Sequence, residues 1–284
     1  MICLLGFGEV GQTFAEDLKT GFTAWDLKFT DVESGPSQAA RRLGLTVSQT
    51  AESVIAAADV VICAVTAAQD KAAAESVAAW LKPGAFFVDV NSASPGQKLE
   101  AAGIIEAAGG RYVEAVIMSP IGNKRLASPM LLGGPHAEMF LLLAKEIGFS
   151  GASFYGPDLG LASATKLCRS VIVKGLEALL TESMLAARHY GVEDAVLASM
   201  QDFFPGTEWE KLAHYMVSRA VQHGTRRAEE MREAARTVAD AGLTPHMSLA
   251  TACVQDWAAA SKNALKYSEM PDFLDAIRND AGLK

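Results

Sequence analysis

Two lysines, Lys166 and Lys174, lie in a segment that otherwise has the composition of a buried helix. Residues 156–183 read GPDLGLASATKLCRSVIVKGLEALLTES. An ammonium group held near a substrate hydroxyl can stabilise a developing alkoxide and relay a proton, so a lysine placed here could do chemistry. Lys174 is two helical turns further along on a similar side, and we expect it to reach water or to pair with a glutamate.

A glycine pattern at the start of the chain, in LLGFGEVGQTFAEDL, is typical of dinucleotide binding. Gly6, Gly8 and Gly11 have G-x-G-x-x-G spacing, directly after an apolar run and at the start of a helical one. Gly6 permits a tight turn, Gly8 lets the backbone approach a pyrophosphate, and Gly11 lets the helix pack on the strand. The predicted cofactor contacts here are Gly6, Phe7, Gly8, Glu9, Val10 and Gly11.

An acidic residue follows this pattern at the distance expected for a ribose ligand. Asp31 is twenty residues past Gly11, at the end of the run LKFTDV, which we interpret as the second strand. A carboxylate there accepts hydrogen bonds from ribose hydroxyls and repels a 2′-phosphate. Arg41 and Arg42 are too far along the next helix to form a phosphate clamp. The sequence therefore predicts NAD rather than NADP as the cofactor.

The hydrophobic pattern predicts an α/β domain followed by an all-α domain. Up to about residue 155, short apolar runs alternate with alanine-rich helical segments; the runs are ICLLG, LKFTDV, DVVICAV, AFFVDV, RYVEAVI and PMLLGG. Continuous apolarity favours strands covered on both faces, as in a doubly wound parallel sheet. We predict a Rossmann domain over residues 1–157. A helical domain for substrate binding and dimerisation follows over residues 158–284, with separate helices at 208–221 and 224–241.

Composition argues against several classes of function. The net charge is −8, which disfavours nucleic acids and anionic membrane surfaces as partners. The four cysteines lie far apart in apolar segments and show no metal-ligand spacing, so we expect reduced thiols, no metal site and a cytoplasmic location. The most apolar window, VIAAADVVICAVTAA, contains an aspartate and is too short to span a bilayer.

Four segments together resemble the β-hydroxyacid dehydrogenase family, which includes 3-hydroxyisobutyrate and 6-phosphogluconate dehydrogenases. They are GFGEVG, DVVICAVTAAQ, FVDVNSASPGQ and GLASATKLCRS. The last is similar to the family's lysine-bearing helix, with Gly160 and Lys166 in matching places and Ser170 replacing the usual asparagine. The resemblance implies that Lys166 is the catalytic lysine, that Val65, Thr66 and Asn91 border the cofactor, and that Ser92 lines the substrate pocket.

The chain departs from the family where the substrate carboxylate is normally held. The family has roughly D-x-P-V-S-G-G, whereas this chain has EAVIMSPIG at residues 114–122. Met118 occupies the serine position, Ser119 comes one place late, and Pro120 removes an amide donor. Ser119 stays a candidate ligand. His223 and Arg227 share a helix face and are further substrate-binding candidates, as is Ser170.

We therefore predict an NAD-dependent dehydrogenase acting on the CH–OH group of a β-hydroxy acid or a related β-hydroxy carbonyl compound. The helical half resembles that of a subgroup with a variant C-terminal domain, and family members pair through this half, which implies a homodimer. An imine reductase is one alternative, although such relatives usually lack the lysine and prefer NADPH. A non-catalytic NAD-binding sensor is the other.

Overall fold

The computed structural model describes residues 1–18, 21–48 and 50–283. The chain forms two compact units, which we call the sheet unit, Met1–Lys166, and the helical unit, from Leu167 onward. The division falls inside a long helix that begins at Leu161. The predicted domain limit after residue 157 lies just before this helix and stays a prediction.

The sheet unit contains seven strands in the order β2-β1-β3-β4-β5-β6-β7. Neighbouring strands are parallel except for β5 and β6, which are antiparallel. The strands are β1 (Ile2–Leu5), β2 (Phe22–Trp25), β3 (Val60–Cys63), β4 (Phe86–Asp89), β5 (Arg111–Ile117), β6 (Met130–Gly133) and β7 (Ala152–Gly156). The predicted fold class, a doubly wound sheet followed by an all-helical region, is confirmed.

Helices cover both faces of this sheet. In the sheet unit they are α1 (Glu9–Asp17), α2 (Gly35–Arg42), α3 (Ala51–Ala56), α4 (Asp70–Ala78), α5 (Pro95–Ala107), α6 (Ile121–Lys124) and α7 (Ala137–Glu146). Successive strand residues enter two separate cores: Ile2 and Leu4 pack with α1, α2 and α7, whereas Cys3 and Leu5 pack with α3, α4 and α5. This is why the central strands are apolar throughout instead of alternating.

Two strands were not predicted, and one predicted strand is wrong. LKFTDV is not a strand: Leu27–Thr30 form a 3-10 turn, because the side chain of Asp26 accepts a hydrogen bond from the amide of Lys28 and bends the chain. The second strand is the short run FTAW before it. The edge strand β7, ASFYG, is largely exposed and lacks the apolar pattern of the central strands.

The helical unit contains most of α8 (Leu161–Tyr190), together with α9 (Glu193–Phe203), α10 (Trp209–Asp240), α11 (His246–Ala258) and α12 (Met270–Asp280). The predicted break near residue 222 is wrong, since α10 is one continuous helix. A Cβ atom on Gly224 would lie 2.1 Å from the carbonyl oxygen of Gln255, so this glycine allows α10 and α11 to approach closely. Within the described ranges, no helix is both long enough and apolar enough to cross a membrane.

Candidate active site

The residues that were singled out for binding or catalysis in the sheet unit lie near one edge of the sheet. Strands β1 to β5 run parallel, so their carboxyl ends meet at the same edge. Gly6 follows β1, Thr66 follows β3, and Ser92 follows β4. The strand order reverses direction between β1 and β3, and in open α/β sheets ligands bind outside the carboxyl ends at such a point.

The glycine loop has the shape that a dinucleotide requires. Gly6 has φ +94°, a conformation that side chains disfavour, and its amide donates to Trp25. A Cβ atom on Gly11 would lie 2.2 Å from the carbonyl oxygen of Gly6, so only glycine fits where α1 crosses the loop. A Cβ atom on Gly8 would meet no described atom within 4 Å, so the backbone at Gly8 faces open space. This shape is compatible with a bound pyrophosphate, and the individual cofactor contacts stay a prediction.

The other residues of the motif have different surroundings. The Phe7 side chain is fully buried and packs against Phe29, with ring centroids 5.7 Å apart. Glu9 and Val10 lie in the first turn of α1, whose first amides have no intrahelical acceptor and point toward the loop. Phe7 therefore anchors the loop, and phosphate binding by the amides that follow it stays a prediction.

The structure contradicts the strand position from which Asp31 was chosen as the ribose ligand, and the role itself stays a prediction. The carboxylate at the end of β2 belongs to Asp26, whose Oδ2 accepts from the Phe7 amide at 2.7 Å and whose Oδ1 accepts from Lys28 at 2.8 Å. Asp31 lies at the end of the following 3-10 turn, is exposed, and accepts from the amide of Glu33. Asp26 is thus joined directly to the glycine loop, and Asp31 occupies no strand end.

Lys166 and Ser92, predicted from separate motifs, are in contact. The Lys166 Nζ donates to the Ser92 Oγ at 2.7 Å, and both belong to the sheet unit. Ser92 follows β4 at the carboxyl edge, while Lys166 lies in the second turn of α8. The structure therefore joins an ammonium and a hydroxyl, 74 residues apart in sequence, at the edge that holds the glycine loop.

The start of α8 is held by a buried carboxylate. Glu114, fully buried on β5, accepts from the amide of Gly160 at 2.8 Å and from that of Ser163 at 2.7 Å. A negative charge at a helix N-terminus satisfies free amides and interacts favourably with the helix dipole. Gly160 has φ +90°, and a Cβ atom there would lie 3.2 Å from Pro95. Glu114 and Gly160 thereby seat the helix of Lys166 against the loop of Ser92.

A buried ionic cluster supports the Ser92 loop from below. We define the Asp89 cluster as Asp89, Lys98, Tyr112, Asn91 and Asp70. The Lys98 Nζ lies 2.7 Å from Asp89 Oδ1, with neither side chain exposed, and the Tyr112 hydroxyl donates to Asp89 Oδ2 at 2.5 Å. Burial alone would lower the pKa of Lys98, but the carboxylates of Asp89 and Asp70 outweigh it and raise the pKa. Lys98 is therefore charged and held against Asp89.

Asn91 joins the cluster to the loop. Its backbone amide donates to Asp89 Oδ1 at 2.9 Å. Its side-chain nitrogen donates to Asp70 Oδ1 at 2.7 Å and to the Cys63 sulfur at 3.3 Å. Its Oδ1 is buried and has no hydrogen-bond partner among the described residues. Burial, followed by repulsion from Asp89, raises the pKa of Asp70 to about 8. Asp70 is an unpredicted member, because no local pattern links it to Asn91.

The remaining candidates in the sheet unit border the same edge. Val65 and Thr66 directly follow β3, and the position a Cβ would take on Gly6 is 3.0 Å from the Val65 side chain. Ser119 follows β5, and its buried Oγ has no partner in the described part of the chain. A buried hydroxyl without a partner calls for an explanation, and a ligand contact is one. Ser119 therefore stays a candidate ligand.

The candidates in the helical unit form a separate network there. The Ser170 hydroxyl accepts from Lys174 at 3.0 Å, and Lys174 also pairs with Glu230 at 2.5 Å, which gives it the structural role expected from sequence. Arg227 forms a buried ion pair with Glu177. His223 lies one turn before Arg227 on α10, so these two predicted residues do share a face.

Comparison with known protein families identifies both parts of the chain. Residues 1–140 match the NAD binding domain of 6-phosphogluconate dehydrogenase. Residues 187–258 match a domain of unknown function, DUF1932. The N-terminal match supports NAD(P) binding without separating NAD from NADP.

Solved structures share the fold along nearly the whole chain. A conserved hypothetical protein from Sinorhizobium meliloti 1021 is 34% identical, covers 98% of this chain and 96% of its own, and has a TM-score of 0.76. Conserved protein MTH1747, described as structurally similar to 3-hydroxyacid dehydrogenases, is 27% identical over 99% of this chain and 97% of its own, with a TM-score of 0.68.

More distant structures show the fold alone. The 3-hydroxyisobutyrate dehydrogenase of Mycobacterium tuberculosis, solved with L-serine, is 20% identical, covers 98% of each chain and has a TM-score of 0.70. An imine reductase from Streptomyces aurantiacus shares the fold at 18% identity. The chain belongs to the β-hydroxyacid dehydrogenase family, in the subgroup whose helical C-terminal part matches the domain of unknown function.

Proposed function

We propose that this protein is an NAD-dependent dehydrogenase that oxidises the CH–OH group of a β-hydroxy acid or a related β-hydroxy carbonyl compound, or reduces the corresponding carbonyl. The observation that supports it most is the hydrogen bond between Lys166 and Ser92 at the carboxyl edge of the sheet. NAD, when bound, supplies the hydride acceptor. The other tasks of the reaction belong to side chains of the chain itself.

Lys166 accepts or donates the proton of the substrate hydroxyl. In oxidation its neutral amine takes the hydroxyl proton as the hydride leaves the carbon, and in reduction its ammonium group returns that proton to the developing alkoxide. Ser92, 2.7 Å from the Nζ, orients the ammonium and offers a second polar contact to the same oxygen. Glu114 keeps α8 in place, so the Nζ is positioned before substrate arrives.

Asp26 is the proposed ribose ligand in place of Asp31. It lies at the end of β2 and is bonded to the glycine loop, where a carboxylate accepts from ribose hydroxyls and disfavours a 2′-phosphate. This supports NAD over NADP. The Gly8, Glu9 and Val10 backbone offers the phosphate-binding amides, and Val65, Thr66 and Asn91 border the nicotinamide side.

The role of Lys166 is tested with Lys166→Ala. Reduction of NAD and NADP would be followed spectrophotometrically with a panel of β-hydroxy acids, sugar acids and aryl β-hydroxy compounds. We expect kcat/KM to fall at least about 100-fold, the range of a lost general acid–base group, with NAD binding retained. Lys71→Ala, which removes an exposed lysine of the same unit, is the matched control and should keep full activity. Equal activity of Lys166→Ala and wild type would contradict the mechanism.

The cofactor assignment is tested with Asp26→Asn. The amide keeps an acceptor for Phe7 but removes the charge, so we expect the ratio of kcat/KM for NADP over NAD to rise about 10- to 100-fold, as expected for one lost charge contact. Asp31→Asn is the matched control and should leave the ratio unchanged. A shift produced by Asp31→Asn and not by Asp26→Asn would return the ribose role to Asp31.

Imine reduction is the second enzymatic candidate, since an imine reductase shares the fold. Lys166 and Asp26 both favour the dehydrogenase. Adding cyclic imines with NADPH to the same panel separates the two, because an imine reductase would turn these over and would not oxidise hydroxy acids. A sensor would bind NAD tightly and turn over no member of either panel.

The proposal includes a homodimer formed through the helical unit, in the cytoplasm. Several large apolar side chains on α8 are exposed, including Ile172 at 73% and Leu179 at 56%. Burial of such a stripe is a common reason for dimerisation. Light scattering after size exclusion should give twice the chain mass, and a monomer across micromolar concentrations would contradict this part of the proposal.

A further inference from the structure

Arg219, on α10, is a cation without a carboxylate partner among the described residues. Its guanidinium donates from Nη1 to the His223 Nε2 at 2.7 Å, and a neutral imidazole does not compensate its charge. Its Nε is buried and has no hydrogen-bond partner within the described ranges. An uncompensated charge in such surroundings is costly, so it calls for a counterion.

The nearby carboxylate of Glu177 offsets part of this charge but hydrogen-bonds to other side chains. Glu177 Oε1 accepts from Arg227, and its Oε2 accepts from Gln255 at 2.9 Å. Arg227 itself is nine-tenths buried, and its Nε has no partner in the described chain. Two neighbouring guanidinium groups thus keep unused, buried N–H donors. We call Arg219, His223, Arg227 and Glu177 the Arg219 cluster.

The charge balance around this cluster is positive in an acidic protein. Among the described residues, Arg226, Arg227 and Lys262 add positive charge at Arg219 or His223, and Glu177 offsets part of it. The whole chain, by contrast, has a net charge of −8. A local excess of positive charge attracts small anions.

Two pKa shifts agree with this imbalance. Burial, followed by repulsion from Arg219, lowers the pKa of His223 to about 4. Burial and then repulsion from Arg227 lower the pKa of Arg219. At neutral pH His223 is uncharged, and because its Nε2 accepts from Arg219, the assigned tautomer has a hydrogen on Nδ1.

We propose that the Arg219 cluster binds the carboxylate or phosphate group of a small molecule, with Arg219 as its principal ligand. Guanidinium groups suit both anions because their planar N–H donors match pairs of oxygens. Arg219 and Arg227 supply these donors from one helix face, eight residues apart. If the anion is part of the substrate, the assignment rests on the proposed dehydrogenase function.

Binding is tested without turnover. Sodium phosphate and sodium malonate would be titrated at constant ionic strength, with the thermal unfolding midpoint and calorimetric heat recorded. We expect a saturable response in wild type and a loss of affinity of about 10- to 100-fold in Arg219→Gln, as for a lost charged hydrogen bond. Arg232→Gln is the matched control: Arg232 lies on the same helix but pairs with Asp256 at the surface, so the response should stay unchanged.

Stability in anion-free buffer separates binding from a structural role. Removing a repelled cation should leave the Arg219→Gln midpoint unchanged or raised, whereas a structural arginine would lower it. A non-saturable response in wild type, or an equal response in Arg219→Gln, would indicate an adventitious ion only and overturn the proposal.

Kinetics identify the source of the anion. If Arg219→Gln raises KM for an anionic substrate about 10- to 100-fold at unchanged kcat, the bound group belongs to the substrate. If phosphate binds and KM stays constant, the site takes a separate small anion. Because phosphate binding needs no turnover, failure of the dehydrogenase proposal would appear as binding without activity, and failure of the site as activity without binding.

Discussion

The two buried polar clusters of this protein differ in how completely they are satisfied. In the Asp89 cluster, the central carboxylate receives Lys98, Tyr112 and a backbone amide, and its charge is balanced. In the Arg219 cluster, two guanidinium groups share the neighbourhood of one carboxylate, which hydrogen-bonds to Arg227 and Gln255. The unpartnered buried atoms among the described residues are acceptors of Asp70 and Asn91 in the first cluster and Nε donors of Arg219 and Arg227 in the second.

This difference separates positioning from binding. The Asp89 carboxylate receives three donors, so it can hold the Asn91–Ser92 loop in a fixed place for Lys166. A network with unpartnered donors and excess charge can gain hydrogen bonds and charge neutralisation from a ligand, and it is less stable without one. The comparison predicts that substitutions in the Asp89 cluster act mainly on stability, and that substitutions in the Arg219 cluster act mainly on anion affinity.

The largest effect should come from breaking the balanced pair. Lys98→Met leaves Asp89 buried and without its counterion, so we expect the free energy of unfolding to fall by about 3–5 kcal/mol in urea titrations. Lys71→Met, which removes an exposed lysine paired with Glu100, should change stability little. A small loss in Lys98→Met would mean that the Asp89 cluster is less closed than its contacts indicate.

Asp70 should have a smaller effect, on the pH dependence of the free energy of unfolding. Its folded pKa of about 8 lies above that of an unfolded aspartate, so its favourable contribution is complete below about pH 4 and is lost as pH rises through 8. Between pH 5 and 7, the free energy of unfolding of the wild type should fall by up to about 1.4 kcal/mol per pH unit, and Asp70→Asn should remove this decline. Urea titrations at several pH values measure it.

The control for this pH effect is Asp59→Asn. Lys82 and then the N-terminal ammonium lower the pKa of Asp59 to about 2, so its contribution is lost only as pH falls below about 4. The slope between pH 5 and 7 should match wild type in this variant. A wild-type slope in Asp70→Asn would show that Asp70 is ionised in the folded protein.

The smallest expected effect is a recovery of stability by phosphate in the Arg219 cluster. Glu177→Gln removes the carboxylate that pairs with buried Arg227, so we expect a loss of about 3–5 kcal/mol in anion-free buffer. Added phosphate should recover part of this loss, because the variant has one more uncompensated positive charge. Phosphate should give Lys98→Met no such recovery, and an equal recovery in both variants would remove the distinction between the clusters.

Sequence patterns predicted the features that depend on local order. The buried strands were recognised because both faces are covered, and the glycine loop because its spacing is a local geometric requirement. Lys166 and Ser92 were identified by resemblance, and their contact agrees with a shared site. The role of each site residue in binding or catalysis stays a prediction.

The features that were missed depend on contacts between distant segments. LKFTDV has strand-like composition, but Asp26 turns the chain before it, so the acidic residue at the strand end was assigned five residues too late. The predicted break between 221 and 224 is absent, and Gly224 instead allows a close approach to Gln255. The pairing of Lys98 with Asp89 and the crowding of Arg219 against Arg227 become visible only when helices and strands are placed together.

Because the Glu114 carboxylate fixes the first turn of α8, the number of residues after that turn determines where Lys166 lies. Glu114 binds the amides of Gly160 and Ser163, so the helix is indexed from its first turn. Each residue added or removed between Ser163 and Lys166 would rotate the lysine by about 100° and shift it about 1.5 Å along the axis. Length variation within this family should therefore be tolerated in the turn before Gly160 and be strongly selected against in the three residues that follow Ser163.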